Sequence, residues 1–240
     1  MKNLPNFKNT PFLALIMGCV GAAFRWLLYA LTTDGKNLIP LFHPLEIGLW
    51  VVTATAAVLI IAAVLPLRNP EHSPNRFSPS LPAALGALAA AAGIGLTVLL
   101  EGTVEGKLDL VRNILGILSA IALLAVAVCR FRGKEPFFGL HALLCVFFAV
   151  HMVSCYRGWS SNPQLMDYVF SLLASIGLML FAFYHGCLEA GMGKLRLLPA
   201  TGLLTAYCCI VALSGTTHVW LYLGGGLWAL TNLCRLHTGE

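Results

Sequence analysis

The chain has 240 residues, of which 58% are hydrophobic and only 10% are charged, and its formal net charge is +5. Soluble domains contain roughly 25% charged residues, so this composition excludes an ordinary water-soluble protein and indicates lipid as the main solvent. The basic residues are spread over short segments rather than gathered in one dense run, which excludes a nucleic-acid-binding surface.

Eight apolar segments follow one another along the chain, and most approach the roughly 20 residues that a membrane span requires. They cover residues 12–32, 46–67, 81–100, 109–129, 137–156, 165–190, 197–213 and 218–236. The last two are separated only by residues 214–217, which we interpret as a tight hairpin. The sequence therefore predicts an all-α bundle of about eight transmembrane helices that forms a single integral-membrane domain over residues 1–240. The alternative is seven spans, if residues 197–213 only re-enter the membrane.

The distribution of Lys and Arg predicts the orientation of this bundle. Ten of the 15 basic residues fall on one side of the eight-span arrangement and four on the other, and Arg25 lies within a span. Because cytoplasmic loops carry the excess, we expect both termini in the cytoplasm and the protein in the plasma membrane. The first apolar run is longer than the roughly 7–15 residues of a cleaved signal sequence, so we expect it to remain as the first span.

Small residues predict where helices approach one another closely in lipid. The third span presents one face made of Gly86, Ala90, Gly93 and Thr97, and we expect this span at the centre of the bundle. Three consecutive glycines at 224–226 allow close packing of the last span, or a local break if they line a cavity.

The eight cysteines do not form a disulfide pattern, since most fall within apolar segments or near predicted cytoplasmic ends. His141 and Cys145, like His151 and Cys155, are four residues apart, and each pair could present nitrogen and sulfur ligands on one helix face. Neither pair has an evident third or fourth ligand. We therefore expect buried thiols and hydrogen-bonded imidazoles, with no metal site and no cofactor.

A polar stripe along the sixth span is the main functional signal. At about 100° per residue, one arc of roughly 80° holds Asp167, Ser171, Ser175, Ala182, His185 and Glu189. The rest of this helix is apolar, so the stripe should face protein or water rather than lipid. His185 and Glu189 are one turn apart, and such a pair either relays protons or forms a simple structural hydrogen bond.

Ionisable groups inside a membrane are unfavourable by roughly 2.5–3.5 kcal/mol each, so each needs a partner. One group gathers at the predicted outer side: Arg25, Glu46, Glu101, Asp109, Arg112, His151, Arg157, Asp167 and His218. Arg25 lies roughly 10 Å deep, and Asp167 and Glu46 are the acids nearest to it in depth. We expect Arg25 to pair with one of them, either as a structural ion pair between spans or as part of a ligand or proton site. The loop that contains Arg157 and Trp159 predicts either a pocket for a ligand or an interfacial aromatic belt.

Nucleotide-binding, metalloprotease and hydrolase motifs are absent from the sequence, so an intramembrane enzyme, which would depend on the His and Cys residues alone, is the least favoured class and we assign no catalytic residues. We predict a small-solute or ion transporter, or the membrane subunit of one. The alternative is a non-transporting sensor or accessory module with an outward-facing pocket, because the stripe has no acid at mid-membrane. The expected partners are the lipid bilayer, a small polar or charged ligand from the outer side, and a membrane or cytoplasmic subunit. The residues proposed to line a path or bind a ligand are Arg25, His151, Arg157, Trp159, Asp167, Ser171, Ser175, His185 and Glu189.

Overall fold

The computed structural model describes residues 10–32, 43–65, 79–104, 106–160, 168–192, 196–215 and 217–235. In these ranges the chain forms eight α-helices and no strand. The helices are α1 (Thr10–Thr32), α2 (Pro44–Val64), α3 (Leu81–Glu101), α4 (Lys107–Arg132), α5 (Phe138–Trp159), α6 (Val169–Glu189), α7 (Leu197–Ala212) and α8 (Val219–Arg235). The prediction of an all-α bundle of eight helices is therefore confirmed.

Helices α1 to α6 are long and apolar enough to cross a membrane. Each contains 21 to 26 residues, and at 1.5 Å per residue this exceeds the roughly 30 Å of the hydrocarbon core. Helices α7 and α8 are shorter, with 16 and 17 residues. The chain is thus a multi-pass membrane protein. The long apolar stretch near its end is interrupted between Ala212 and Val219, where the sequence predicts the hairpin.

The bundle has an apolar exterior and a partly polar interior. Large apolar side chains are exposed on the long helices, among them Leu31, Val58 and Leu99. Several charged and imidazole side chains are instead buried between helices. This is the reverse of a soluble domain, and it is expected when lipid surrounds the helices and the protein alone can satisfy polar groups.

Helix α7 lies at the centre of the bundle, since it packs against α1, α2, α6 and α8. Helix α3 packs mainly against α4 and α8, and leucines on its other face are exposed. The expectation that the third span occupies the centre is therefore wrong. Its small residues allow a close approach to one neighbour, which does not require neighbours on every side.

Glycines set the close contact between α3 and α8. A Cβ atom added to Gly93 of α3 would collide with the backbone carbonyl of Trp220, and one added to Gly224 of α8 would collide with that of Ala89. Since α8 is continuous from Val219 to Arg235, its glycines serve close packing and do not break the helix.

We predict that Gly93→Ala lowers the free energy of unfolding by about 1–3 kcal/mol, because the backbone of α8 cannot move aside as a side chain would. Gly95→Ala is the matched control on the same helix, since nothing lies within 4 Å of a Cβ added there. Unfolding of both variants in detergent measures the difference. A Gly93→Ala protein as stable as the control would contradict the proposed contact.

Candidate functional site

Five polar side chains meet at the end of the bundle where α4, α6 and α8 end and α5 begins. We call them the Glu189 cluster: Arg130 of α4, His141 of α5, His185 and Glu189 of α6, and Asn232 of α8. All five are buried, and Glu189 is the most exposed of them at 9%. His185 and Glu189 face this interior together because they lie one turn apart on the polar stripe of α6.

Glu189 is the charged centre of this cluster. Its Oε1 atom forms an ion pair with Nη2 of Arg130. Nδ1 of His185 lies 3.6 Å from Oε1, and Nδ1 of His141 lies 3.3 Å from Oε2. These partners compensate for the loss of water around the carboxylate, which is strongly unfavourable when a buried charge is left unpaired.

The two histidines form a chain of hydrogen-bonding atoms that ends at Glu189. Nε2 of His141 lies 2.9 Å from Nδ1 of His185, whose Nε2 lies 3.0 Å from Oδ1 of Asn232. The amide nitrogen of Asn232 donates to the carbonyl of Trp228, so the amide oxygen faces His185. With this amide orientation Nε2 of His185 can donate to Asn232 while its Nδ1 accepts a hydrogen bond from Nε2 of His141. In the other tautomer Nε2 of His185 accepts from Nη2 of Arg130, which lies 3.3 Å away and can only donate.

No arrangement of one proton on each imidazole satisfies every contact in this chain. If His141 donates through Nε2, its Nδ1 is an acceptor that faces the acceptor Oε2 of Glu189, and among the described residues neither atom has a hydrogen-bond partner. If both imidazole protons move to Nδ1, His185 no longer donates to Asn232. One additional proton on His141 supplies a donor for the contacts to Glu189, His185 and Asn232 at once, so the geometry suits reversible proton uptake. Nη2 of Arg130 then faces an N–H of His185 and keeps Glu189 as its partner.

A second cluster lies at the opposite end of the bundle, where α3 and α5 end and α8 begins. We call it the His218 cluster, and it contains Glu101, His151, Cys155 and His218. Sγ of Cys155 lies 3.3 Å from Nε2 of His218 and 3.6 Å from Nε2 of His151. Oε2 of Glu101 accepts the backbone N–H of His218 at 2.9 Å and lies 2.7 Å from its Nδ1 atom.

His218 has an unusual backbone and an unusual charge state. Its φ angle is 56°, a left-handed conformation that is uncommon outside glycine, and the hydrogen bond to Glu101 holds it there. Burial lowers the pKa of His218, but its hydrogen bonds to Cys155 and Glu101 outweigh burial and raise the pKa to about 9. At neutral pH this favours a charged imidazole beside the carboxylate of Glu101.

A neutralised ion pair borders the His218 cluster. Ser154 donates to Asp109 at 2.6 Å, and Nη1 of Arg112 lies 3.6 Å from the same carboxylate oxygen and donates to Ser154 at 3.2 Å. A small cleft lies between these groups and the His218 cluster. Its lining residues are Thr97, Val98, Glu101, Arg112, Asn113, Phe147, His151 and His218.

A packed apolar layer separates the two clusters. Four side chains that are at most 2% exposed form this layer: Phe147, Leu178, Phe181 and Trp228. The rings of Phe181 and Trp228 meet edge to face with centroids 4.9 Å apart. His141 and His151, one from each cluster, lie about 15 Å apart along α5. Within the described residues, these buried apolar side chains interrupt the polar stripe between the two clusters.

The structure divides the residues of the predicted path among several places. His185 and Glu189 belong to the Glu189 cluster, whereas His151 belongs to the His218 cluster. Ser171 and Ser175 are buried on α6, and the hydroxyl of Ser175 donates to the carbonyl of Ser171 at 2.9 Å. The part of the stripe that contains Ser171 and Ser175 is therefore packed against other helices in this structure.

Arg25 is buried and makes contacts of a different kind. Its Nη1 atom donates to the carbonyl of Val211 at 3.1 Å, and its guanidinium lies over the ring of Phe170 at 5.5 Å. The guanidinium thereby ties α1 to α6 and α7. Asp167 lies outside the described residues, so an ion pair between Arg25 and Asp167 stays a prediction.

Arg157 and Trp159 do not line the cleft beside the His218 cluster. The side chain of Arg157 is exposed at the end of α5. Trp159 stacks on Tyr168 with ring centroids 4.5 Å apart. Their positions resemble the interfacial belt, the second of the two interpretations that the sequence leaves open for this loop.

The sequence does not single out Arg130, His141 and Asn232 as partners of Glu189. In the sequence, Arg130 looks like a basic residue of a cytoplasmic loop, because it stands at the end of an apolar segment. His141 is noted there only because it lies four residues before Cys145. The signal that could have identified them is that all three residues are expected at the same depth in the membrane as Glu189. All three lie within one turn of the helix end that is expected on the same side as Glu189.

These features define a multi-pass membrane protein with a buried polar cluster at one end of its helical bundle and a partly exposed polar cluster at the other. No family model matches the sequence, and no curated protein and no solved structure is significantly similar to it. The function is therefore argued from the chemistry of the two clusters.

We predict that Arg130→Gln lowers the free energy of unfolding by about 3–5 kcal/mol, because it leaves Glu189 as an uncompensated buried charge. The double variant Arg130→Gln/Glu189→Gln should recover most of that loss. Arg132→Gln is the matched control, since Arg132 is exposed in the same last turn of α4. Denaturant titration in detergent measures all three, and a double variant no more stable than Arg130→Gln would count against the buried ion pair.

Proposed function

We propose that the protein transports a small solute or ion and that the Glu189 cluster binds and releases the proton coupled to this transport. The observation that carries the proposal is the chain from Asn232 through His185 and His141 to Glu189, in which one additional proton supplies a donor for every one of these contacts. Ionisable side chains buried in membrane bundles are unfavourable to maintain, and proton relays are one of their main uses.

Proton uptake would change the forces between helices. A proton on Nδ1 of His141 makes this imidazole a charged donor to Glu189, where it competes with Arg130 for the carboxylate. The interaction of Arg130 on α4 with Glu189 on α6 then weakens, while the interaction of His141 on α5 with Glu189 strengthens. Proton binding would thus favour one arrangement of these helices over another. Coupled movement requires such a difference in proton affinity between two arrangements of the protein.

The apolar layer supports a carrier rather than an open channel. A solute can pass between the clusters only if helices rearrange around Phe181 and Trp228, as in alternating access. The excess of Lys and Arg on one side supports an orientation with both termini in the cytoplasm of a plasma-membrane protein. The Glu189 cluster then lies at the cytoplasmic end and the His218 cluster at the outer end.

The tight packing of this layer also supports a second candidate function. If the layer does not open, the His218 cluster is a binding site reached from one side only. The protein is then a sensor or accessory module that passes a signal to a partner subunit. Transport and sensing differ in whether protons cross the membrane.

Proteoliposomes that contain a pH-sensitive dye distinguish the two functions. With the membrane potential clamped, we expect wild-type protein to dissipate an imposed pH gradient faster than protein-free liposomes. Glu189→Gln removes the ionisable group and keeps its shape, so it should slow this proton flux at least about tenfold. Glu135→Gln changes an exposed acid between α4 and α5 and should retain the wild-type rate.

Wild-type flux no faster than that of protein-free liposomes would contradict a proton pathway and favour the sensor. Equal flux in wild type and Glu189→Gln would show that protons cross elsewhere in the protein. Folding of each variant is checked by its elution as a monodisperse species in detergent.

A further inference from the structure

Three side chains with metal-binding atoms converge in the His218 cluster. Sγ of Cys155 and ring nitrogens of His151 and His218 all lie within 4.8 Å of one another. His151 and Cys155 are buried on adjacent turns of α5, and His218 reaches them from the segment before α8. The structure thus adds to the His151–Cys155 pair a third ligand that lies 63 residues beyond Cys155 in sequence.

The two separations from the sulfur of Cys155 match those in a tetrahedral metal site. Zinc lies about 2.3 Å from sulfur and about 2.0–2.1 Å from imidazole nitrogen, which places tetrahedral sulfur and nitrogen ligands roughly 3.5 Å apart. The observed separations from Sγ of Cys155 are 3.3 Å to His218 and 3.6 Å to His151. Both imidazoles are thus already at ligand-to-ligand distance from the sulfur, and the three ligand atoms lie within 4.8 Å of one another.

Glu101 holds His218 in the orientation that a metal ligand needs. Its carboxylate lies 2.7 Å from Nδ1 of His218, while Nε2 of the same ring faces Cys155. Histidines that bind metals usually donate their second ring N–H to a carboxylate or carbonyl in this way, which orients the ring. Glu101 is thus a positioning residue that also holds the left-handed backbone of His218.

Hydrogen bonds connect these groups when no ion is present. The thiol of Cys155 can donate to one imidazole while its sulfur accepts an N–H of the other, because nitrogens of two imidazole rings lie within reach of the sulfur. Within the described part of the chain, the sulfur is also the hydrogen-bonding partner of the buried His151 ring. A shared cation would satisfy all three groups at once.

We propose that His151, Cys155 and His218 bind one transition-metal ion of the zinc type, with its fourth position directed to the adjoining cleft. Imidazole and thiolate ligands select zinc or copper over magnesium and calcium. Binding requires the thiolate, so Cys155 releases its proton and His218 releases any proton on Nε2. The negative charges of the thiolate and Glu101 then balance a divalent ion, while Asp109 and Arg112 neutralise each other.

The Glu189 cluster also brings two histidines and a carboxylate together, but its geometry favours protons over a metal. Arg130 already pairs with the carboxylate, and the 2.9 Å between His141 and His185 is a hydrogen-bonding distance. The metal site goes beyond the proposed transport, since it can exist in either a transporter or a sensor.

Titration of the full-length protein with Co²⁺ tests this site, because Co²⁺ replaces zinc and absorbs light. In reduced, metal-free protein in detergent, we expect a near-ultraviolet charge-transfer band from sulfur to cobalt together with the visible bands of tetrahedral cobalt. Both should saturate at one equivalent and disappear when Zn²⁺ is added. Cys155→Ser should lose the charge-transfer band.

The second His–Cys pair on α5 provides the matched control. Cys145→Ser should keep the complete cobalt spectrum, because the thiol of Cys145 donates to the carbonyl of Met179 and lies outside the cluster. Glu101→Gln should keep the band and weaken cobalt binding about 10–100-fold, the usual effect of losing an orienting partner. Glu189→Gln should keep the charge-transfer band, which separates this test from that of proton transport.

Wild-type protein without a charge-transfer band at millimolar Co²⁺ would overturn the proposal. An undiminished band in Cys155→Ser would do the same, since another thiol would then be the ligand. If Cys155→Ser does not fold, His218→Gln tests the same site, and we expect it to lose high-affinity binding of one equivalent. One-equivalent binding that is unchanged in His218→Gln would also overturn it.

Discussion

Charged side chains in this bundle must find their partners within the protein, because lipid supplies none. Arg130 meets Glu189 between α4 and α6 at one end, and Glu101 meets His218 between α3 and α8 at the other. These pairs fix the relative positions of helix ends. Between them, small residues such as Gly93 let backbones approach, since apolar burial does not drive helices together in lipid. The fold is thus held by ion pairs at the two ends of the bundle and by close helix packing between them.

Helix α5 contributes to both polar clusters, and α8 contributes to one cluster and begins beside the other, which connects the proposed functions. Helix α5 carries His141 in the Glu189 cluster and His151 in the His218 cluster, while α8 supplies Asn232 to the first and follows directly after His218. A movement of α5 or α8 that accompanies proton binding at one end would change ligand distances at the other. Coupling of this kind needs a bistable packing between the clusters, and the aromatic layer around Phe181 is the place where two packings could differ.

Hydropathy was sufficient to predict the helices, because an apolar segment of about 20 residues rarely forms anything other than a membrane-spanning helix. The stripe on α6 likewise predicted that His185 and Glu189 face away from lipid. Their partners could not be predicted, since the order of helices in space and the rotation of each about its axis are not encoded in any local pattern. Arg130 resembled a loop cation for this reason, and the link from Cys155 to His218 depends on α5 and α8 meeting at one end of the bundle. The small residues of α3 also correctly predicted that this helix packs closely against a neighbour. They could not show how many helices surround it.

Water accessibility along the stripe of α6 tests most directly whether a solute crosses this bundle. Single cysteines would replace Ser171, Ala182 and His185 in a cysteine-free chain, and a membrane-impermeant thiol reagent would be applied to each side of oriented vesicles. Transport predicts that Ser171 and His185 are labelled from opposite sides and that Ala182, within the apolar layer, is labelled from both as the layer opens in alternation. Ala182 that remains unlabelled from either side, in a protein that retains its fold, would contradict transport through the bundle.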